Sequence, residues 1–422
     1  MTARSKAHDS QTPGIFKTFR ALRHRDFRLL WIGLAVSAVG TWMQIVAQSL
    51  LVLKITHNSA LALGTVSLAQ ALAFFLFALI GGSVADRLDK RRLLMFTQTG
   101  SAALAILLGF LTWFGLIRLW MILVLSFLNG TLLSFDQPTR GALVPVLVPK
   151  EDLGNAISLQ SMIFNGASTL GPALAGFGVA IVGYAGNFFL NGASFLGVLI
   201  ALYLMHVPAG PVHQQSPWQA IRAALGTVKR DALLPWALSG YAAMLFLGPS
   251  SALILPVFAV KVLHIGPERL GLLFSSAGVG TIVGAFFLAS LGSNPLLGAI
   301  YLSGMFLWLA ALTTFALSTW FWVAMAALLV YGIGLALVGT TTVTMLQTRV
   351  PAQMRGRVMS LNTLIIMGIR PLGDFPAGAV ITAIGAPLTL LASTAIVGSY
   401  WILLLLRPSM RGSTQDTAAA TV

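Results

Sequence analysis

"VPKEDLGNAISLQSMIFNGASTLGPALAG" (Val148–Gly176) and "VPAQMRGRVMSLNTLIIMGIRPLGDFPAG" (Val350–Gly378) lie 202 residues apart and align without a gap. Eleven of the 29 positions are identical. Apolar bias accounts for shared Leu and Ala. It does not account for a shared Val-Pro, four glycines in register (Gly154, Gly166, Gly171 and Gly176 over Gly356, Gly368, Gly373 and Gly378) and a shared Ser-Leu. The chain therefore carries a parallel internal repeat. Two parallel halves with a substrate site between them near the bilayer midplane is a transporter architecture.

Composition agrees. Of 422 residues, 57% are hydrophobic and 9% charged, against about 25% charged in a soluble domain. About 240 apolar residues, at about 20 per crossing, fill about a dozen spans. Apolar runs bounded by Gly, Pro or charge predict spans 1–12 at 29–53, 60–84, 93–115, 119–147, 153–182, 186–206, 233–262, 269–291, 296–316, 319–347, 357–383 and 386–406. The expected fold is an all-α membrane protein with twelve transmembrane helices in two pseudo-symmetric six-helix halves. The halves fall at 29–206 and 233–406, joined by a central loop at 207–232 and flanked by tails at 1–28 and 407–422. Within that loop, "PWQAIRAALGTVKRD" (Pro217–Asp231) reads either as a short amphipathic helix on the membrane surface or as plain linker.

The net charge of +15 is topological. With the N-terminus inside, 21 of the 26 Lys and Arg fall in inner segments. Lys54, Arg118, Lys261 and Arg269 fall in outer loops, and Arg370 lies within a span. The positive-inside rule then places both termini in the cytoplasm. No aromatic-interleaved basic domain is present, so nucleic acid is not an expected partner. The first 28 residues are polar and basic, without a cleavable-signal pattern, and span 1 is expected to be retained. With no cysteine and no paired histidines, neither a metal nor a cofactor is expected. No phosphate-binding Gly-Lys loop and no cluster of His and carboxylates points to an enzyme.

Polar residues inside the spans are the candidates for function. Ser37, Thr41, Gln44 and Gln48 recur at helical spacing on one face of span 1. Such a stripe lines a substrate path or bonds to neighbouring helices. Span 5 repeats the pattern with Ser158, Ser161, Asn165 and Ser168, and Asn129 on span 4 is a further path candidate. Asp136 with Arg140 reads as an inner-edge structural pair, with transport gating or proton coupling at Asp136 as the alternative. Glu151 and Asp152 read as helix N-terminal acids. Arg370 and Asp374 are the only full charges deep in any span, four residues apart and able to form an ion pair. Pro371 and Pro376 interrupt their helix, so Arg370 is expected at a local break. In the repeat they fall on Ser168 and Pro172, which makes the halves alike in scaffold and unlike in chemistry. A proton-coupled carrier needs a carboxylate that alternates between protonated and ionised, and Asp374 is the candidate, with Arg370 tuning its pKa or binding an anionic substrate. The alternative is a static pair that locks span 11.

"GGSVADRLDKRRLL" (Gly81–Leu94) resembles the loop 2–3 signature of the major facilitator superfamily. Gly82, Asp86, Arg87, Lys90 and Arg91 match it, and Asp89 stands where the signature has glycine. The repeat sets Arg355 and Arg357 at the inner start of span 11. The resemblance implies that these residues form a gate closing the inner side in the outward-open state. "HRDFRLLWIGLAVSAVGTWMQ" (His24–Gln44) and "RGALVPVLVPKEDLGNA" (Arg140–Ala156) resemble the bacterial branch of enterobactin-exporter-like and macrolide-efflux-like proteins. "GASTLGPALAG" (Gly166–Gly176) resembles the helix 5 signature of drug/proton antiporters, through Gly166, Gly171, Pro172 and Gly176. The resemblance implies a monomeric secondary-active exporter in the bacterial inner membrane, with lipid, a small molecule (siderophore, macrolide or other drug) and protons as its partners. A metabolite facilitator or importer without proton coupling is the alternative.

Overall fold

A computed structural model describes residues 19–206, 217–291 and 296–406. The expected ends of the chain and the start of the central loop lie outside this range. Spans 1 to 4 are Arg25–Ile55, Ala60–Arg87, Lys90–Trp113 and Leu119–Leu147. Spans 5 and 6 share Leu153–Leu204, a run of 52 residues. At 1.5 Å per residue it would be about 78 Å long, more than twice the hydrocarbon thickness. It folds back at Gly183, whose φ of 71° and ψ of −175° suit only glycine. The 202-residue offset pairs Gly183 with Gly385, which turns span 11 into span 12 at φ 85°.

Span 7 is two helices, Leu234–Leu247 and Ser251–Lys261. Pro249 in the break has no N–H to offer, and Ser250 caps the second helix by accepting from the Leu253 N–H at 3.2 Å. Spans 8 to 10 are Pro267–Ser290, Leu297–Leu317 and Phe321–Arg349. Span 11 runs as Ala352–Leu364, a π-helical turn at Ile365–Ile369, then Arg370–Ile384. The wide turn ends just before Arg370-Pro371, where a missing proline N–H would break a tighter ladder. Span 12 is Ala386–Leu405. Ten of the described helices are long and apolar enough to cross a membrane. The folded 52-residue helix supplies two crossings and the interrupted span 11 adds one more, which makes twelve. The central segment does form a helix, Pro217–Arg230. Its Ala224 and Val228 are buried against Ala352–Leu364, so it rests on the bundle.

Lipid offers no hydrophobic drive between helices, so close approach of small residues holds each half together. Gly130 on span 4 meets the backbone of span 2, and its repeat partner Gly332 on span 10 meets the backbone of span 8. Glycines also make the seam between the halves. A methyl group on Gly64 of span 2 would lie 2.7 Å from the backbone oxygen of Asp374. One on Gly271 of span 8 would lie 2.6 Å from that of Pro172. Gly176 abuts Pro267 at the start of span 8, and Gly378 abuts Ala60 at the start of span 2. Nearer mid-span, Gly278 meets Thr169 and Gly368 meets the ring of Phe75. All these approaches lie between mid-span and the end remote from the basic loops. The described glycines nearer the basic end approach only their own half. The glycine contacts between the halves are thus confined, among the described residues, to the part remote from the basic end.

Candidate functional site

Asp374 is 3% exposed and sits on this seam, its backbone oxygen facing Gly64. Its Oδ1 accepts the Ser250 backbone N–H at 2.8 Å and its Oδ2 accepts the Ser250 hydroxyl at 2.7 Å. The break in span 7 thus supplies both donors. A weaker hydrogen-bond interaction comes from Ser67 of span 2, in the other half. The carboxylate also stands at the N-terminus of Ser251–Lys261, where the helix dipole favours negative charge. Asp374 therefore ties span 11 to the span 7 break at the level where span 2 crosses.

Arg370 shares the helix with Asp374 but turns elsewhere. Its Nη2 donates to the Tyr331 hydroxyl of span 10 at 3.2 Å, and its Nε is buried without a partner. The ion pair allowed by the four-residue spacing is not formed; among the described ion pairs none includes Arg370. Instead the carboxylate faces the two donors of Ser250 and the guanidinium faces Tyr331.

The span 1 stripe divides between neighbours. Gln44 accepts from Asn191 of span 6 at 2.7 Å and Gln48 donates to Ser126 of span 4 at 3.1 Å. Ser37 is buried, and its carbonyl accepts the Thr41 hydroxyl at 2.9 Å; Thr41 itself is exposed. Asn129 and Asn165 are half-buried. Ser158 and Ser161 are exposed and bond back to their own helix.

The helix 5 motif forms seam and scaffold. Gly171 packs on Val39 and Trp42 of span 1, Pro172 offers its carbonyl to Gly271, and Gly176 abuts span 8. The repeat partner Gly373 packs on the Phe246 backbone of span 7. Gly166 has open space around it.

At the basic end, the side chains of Asp86, Arg87 and Arg357 lie outside the described residues. Arg355 is exposed and donates to its own Val350 carbonyl at 3.2 Å. Asp89 has an ordinary negative φ of −59° and caps span 3 by accepting the Arg92 N–H at 2.8 Å, so the turn does not need the signature's glycine. Lys90 opens span 3. Arg91 donates to the carbonyls of Leu202 and Tyr203, at 2.5 and 2.6 Å, and so caps span 6. A methyl group on Gly82 would meet nothing within 4 Å. Asp136 accepts from Gln98 at 2.6 Å and from Thr97 at 3.0 Å, and pairs with Arg140, an arrangement internal to spans 3 and 4. Asp152 does more than the expected helix-terminal acid. It binds Arg20, Arg23 and His24 at 2.8, 2.9 and 2.7 Å, fastening the N-terminal segment to span 5.

Sequence reasoning missed Ser250 and Tyr331. The signal for Ser250 was Gly248-Pro249-Ser250, a helix breaker followed by a capping residue. Tyr331 lies in an apolar run and gave no signal.

Twelve helices in two repeats, with a buried carboxylate where the halves meet, define a membrane transporter, not an enzyme. The chain matches the major facilitator family model described as transmembrane secretion effector over residues 16–420 and belongs to that family. It is 25% identical to the enterobactin exporter EntS of Citrobacter koseri over 385 residues, covering 89% of each chain. It is 27% identical to the staphyloferrin A transporter of Staphylococcus aureus over 347 residues, covering 80% of this chain and 84% of that one. A bacterial homologue of the human lysosomal transporter Spinster, solved in an inward-facing and unoccupied conformation, superposes with a TM-score of 0.74 at 14% identity over 93% of this chain and 98% of that one.

Proposed function

We propose that this transporter exports a small molecule from the cytoplasm by proton antiport, with Asp374 as the site that carries the proton. The observation that carries the reading is the placement of Asp374: a buried carboxylate, held by Ser250 at the break in span 7, on the seam that alternating access must open. Ionised, it accepts from Ser250 within its own half and from Ser67 across the seam. Protonated, one oxygen becomes a donor and those contacts must change. Exchange then requires the proton and the exported molecule to occupy the carrier alternately.

The basic end is the cytoplasmic end on this reading, because Lys and Arg gather on cytoplasmic loops. Both termini are then cytoplasmic and the membrane is the bacterial inner membrane. The halves at 29–206 and 233–406 rock about the glycine seam. Asp86 and Arg87 with Arg355 and Arg357 close the inner end in the opposite state. Gln44 and Gln48 position span 1 beside the path that Thr41, Asn129 and Asn165 line. The two relatives named for siderophores support a siderophore-like cargo. Accumulation of a secreted siderophore in cells lacking their own exporters tests the class. Efflux restored by this chain and abolished by a protonophore supports antiport. Efflux indifferent to the protonophore contradicts it.

A further inference from the structure

Arg370 makes no ion pair among the described residues, although Asp374, one turn away, lies within its field. A guanidinium at mid-membrane depth is costly unless paired or wetted, and it carries five N–H donors. Among the described residues only Tyr331 takes one of them. The carboxylate one turn away, Asp374, takes its hydrogen bonds from Ser250. Beside it stands a second unanswered donor: Trp308 is 1% exposed, its indole Nε1 has no acceptor, and its ring lies 6.0 Å from that of Tyr331. Tyr241 of span 7, 7% exposed, completes the surround and lies within the field of the same guanidinium. Donors without acceptors, aromatic walls and a positive charge with no ion-pair partner among the described residues fit a receptor for an oxyanion.

We infer that Arg370, with Tyr331 and Trp308, is the recognition site for an anionic oxygen of the exported molecule, of the carboxylate or catecholate kind. The inference rests on the export reading and narrows it. A planar guanidinium offers two parallel donors to such a group, and the same charge repels a basic amine, so a cationic drug or an amino-sugar macrolide is disfavoured. An inside-negative potential pushes an anion outward, which adds to the drive from proton entry. The titratable groups facing Arg370 are Tyr331, Tyr241 and Asp374. Only the last is a carboxylate, so neutralising it leaves the receptor intact or strengthens it.

The test is calorimetric titration of the purified full-length chain with 2,3-dihydroxybenzoate, its neutral amide and tetraphenylphosphonium. Wild type is expected to bind the benzoate in preference to the other two. R370Q is expected to weaken that binding by about tenfold or more, as loss of a charged hydrogen bond does. R370K keeps the charge and should weaken it less, and Y331F less again. If R370Q does not fold, R370K and Y331F still decide. D374N should bind the benzoate at least as well as wild type, so a failure of proton coupling and a failure of anion recognition show in different variants. Equal binding of benzoate and amide, preference for the cation, no binding by wild type, or undiminished binding in the Arg370 and Tyr331 variants would overturn the inference.

Discussion

Both carboxylate oxygens of Asp374 are held by one residue, Ser250, through its backbone N–H at 2.8 Å and its hydroxyl at 2.7 Å. The contact joins span 11 to the break in span 7. The Ser250 hydroxyl also caps the helix Ser251–Lys261. S250A keeps the N–H but removes the hydroxyl from both tasks. It is expected to cost about 1–2 kcal/mol of stability, read as a lower unfolding temperature of the purified protein, while S250T retains most of it. An unchanged unfolding temperature in S250A would show that the junction contributes little.

The seam depends on two glycines in equivalent places, Gly64 against Asp374 and Gly271 against Pro172. A methyl group at either faces backbone that cannot yield cheaply. Overpacking costs about 1–3 kcal/mol, equivalent to a shift of about 5- to 150-fold toward the state with the seam apart. The chain has no cysteine, so Leu61→Cys, placed where Gly378 meets span 2, reports seam opening directly. G64A and G271A should each speed its labelling from outside the cell. Unaltered labelling in both would remove the seam from the account.

Arg91 belongs to the loop 2–3 signature, yet its guanidinium spans two carbonyls at the end of span 6. Lysine cannot bridge both in the same geometry. R91K and R91A are therefore expected to lower the unfolding temperature while leaving efflux per folded molecule close to wild type. A stable R91A protein with lost efflux would return Arg91 to the gate.

Asp231 joins the central segment to span 10. Partial burial alone would raise its pKa. The N–H groups of Leu234 and Leu233 and the Arg349 guanidinium at 3.0 Å outweigh it and hold the carboxyl below its ordinary range. A depressed folded pKa contributes stability above the unfolded value, and that stability disappears as pH falls through the folded one. D231N should be less stable than wild type at neutral pH, with the gap closing as pH falls below about 4. A gap that persists or widens in acid would contradict this assignment.

The repeat at Val148–Gly176 and Val350–Gly378 made the two halves legible, because a register of glycines records where backbones must touch. Gly171, Gly176, Gly373 and Gly378 each lie at such a contact. The charge pair at Arg370 and Asp374 was legible as special but not as to its partners. Helical spacing says which side chains share a face. It does not say that another helix will offer better donors, and Ser250 lies 124 residues away. The partners of the span 1 stripe were hidden for the same reason: Gln44 and Gln48 find Asn191 and Ser126 across the bundle. The role of Asp152 was hidden because its three partners, Arg20, Arg23 and His24, precede span 1.

The central claim is that Asp374 carries the proton that drives export. Asn keeps the size of Asp374 and accepts at one position, but it cannot alternate between charged and neutral forms. The direct measurement is efflux by D374N and by wild type in cells without other exporters, at matched amounts of membrane-inserted protein. The account predicts that D374N inserts normally and loses protonophore-sensitive efflux. Efflux by D374N at the wild-type rate, still abolished by the protonophore, would contradict it.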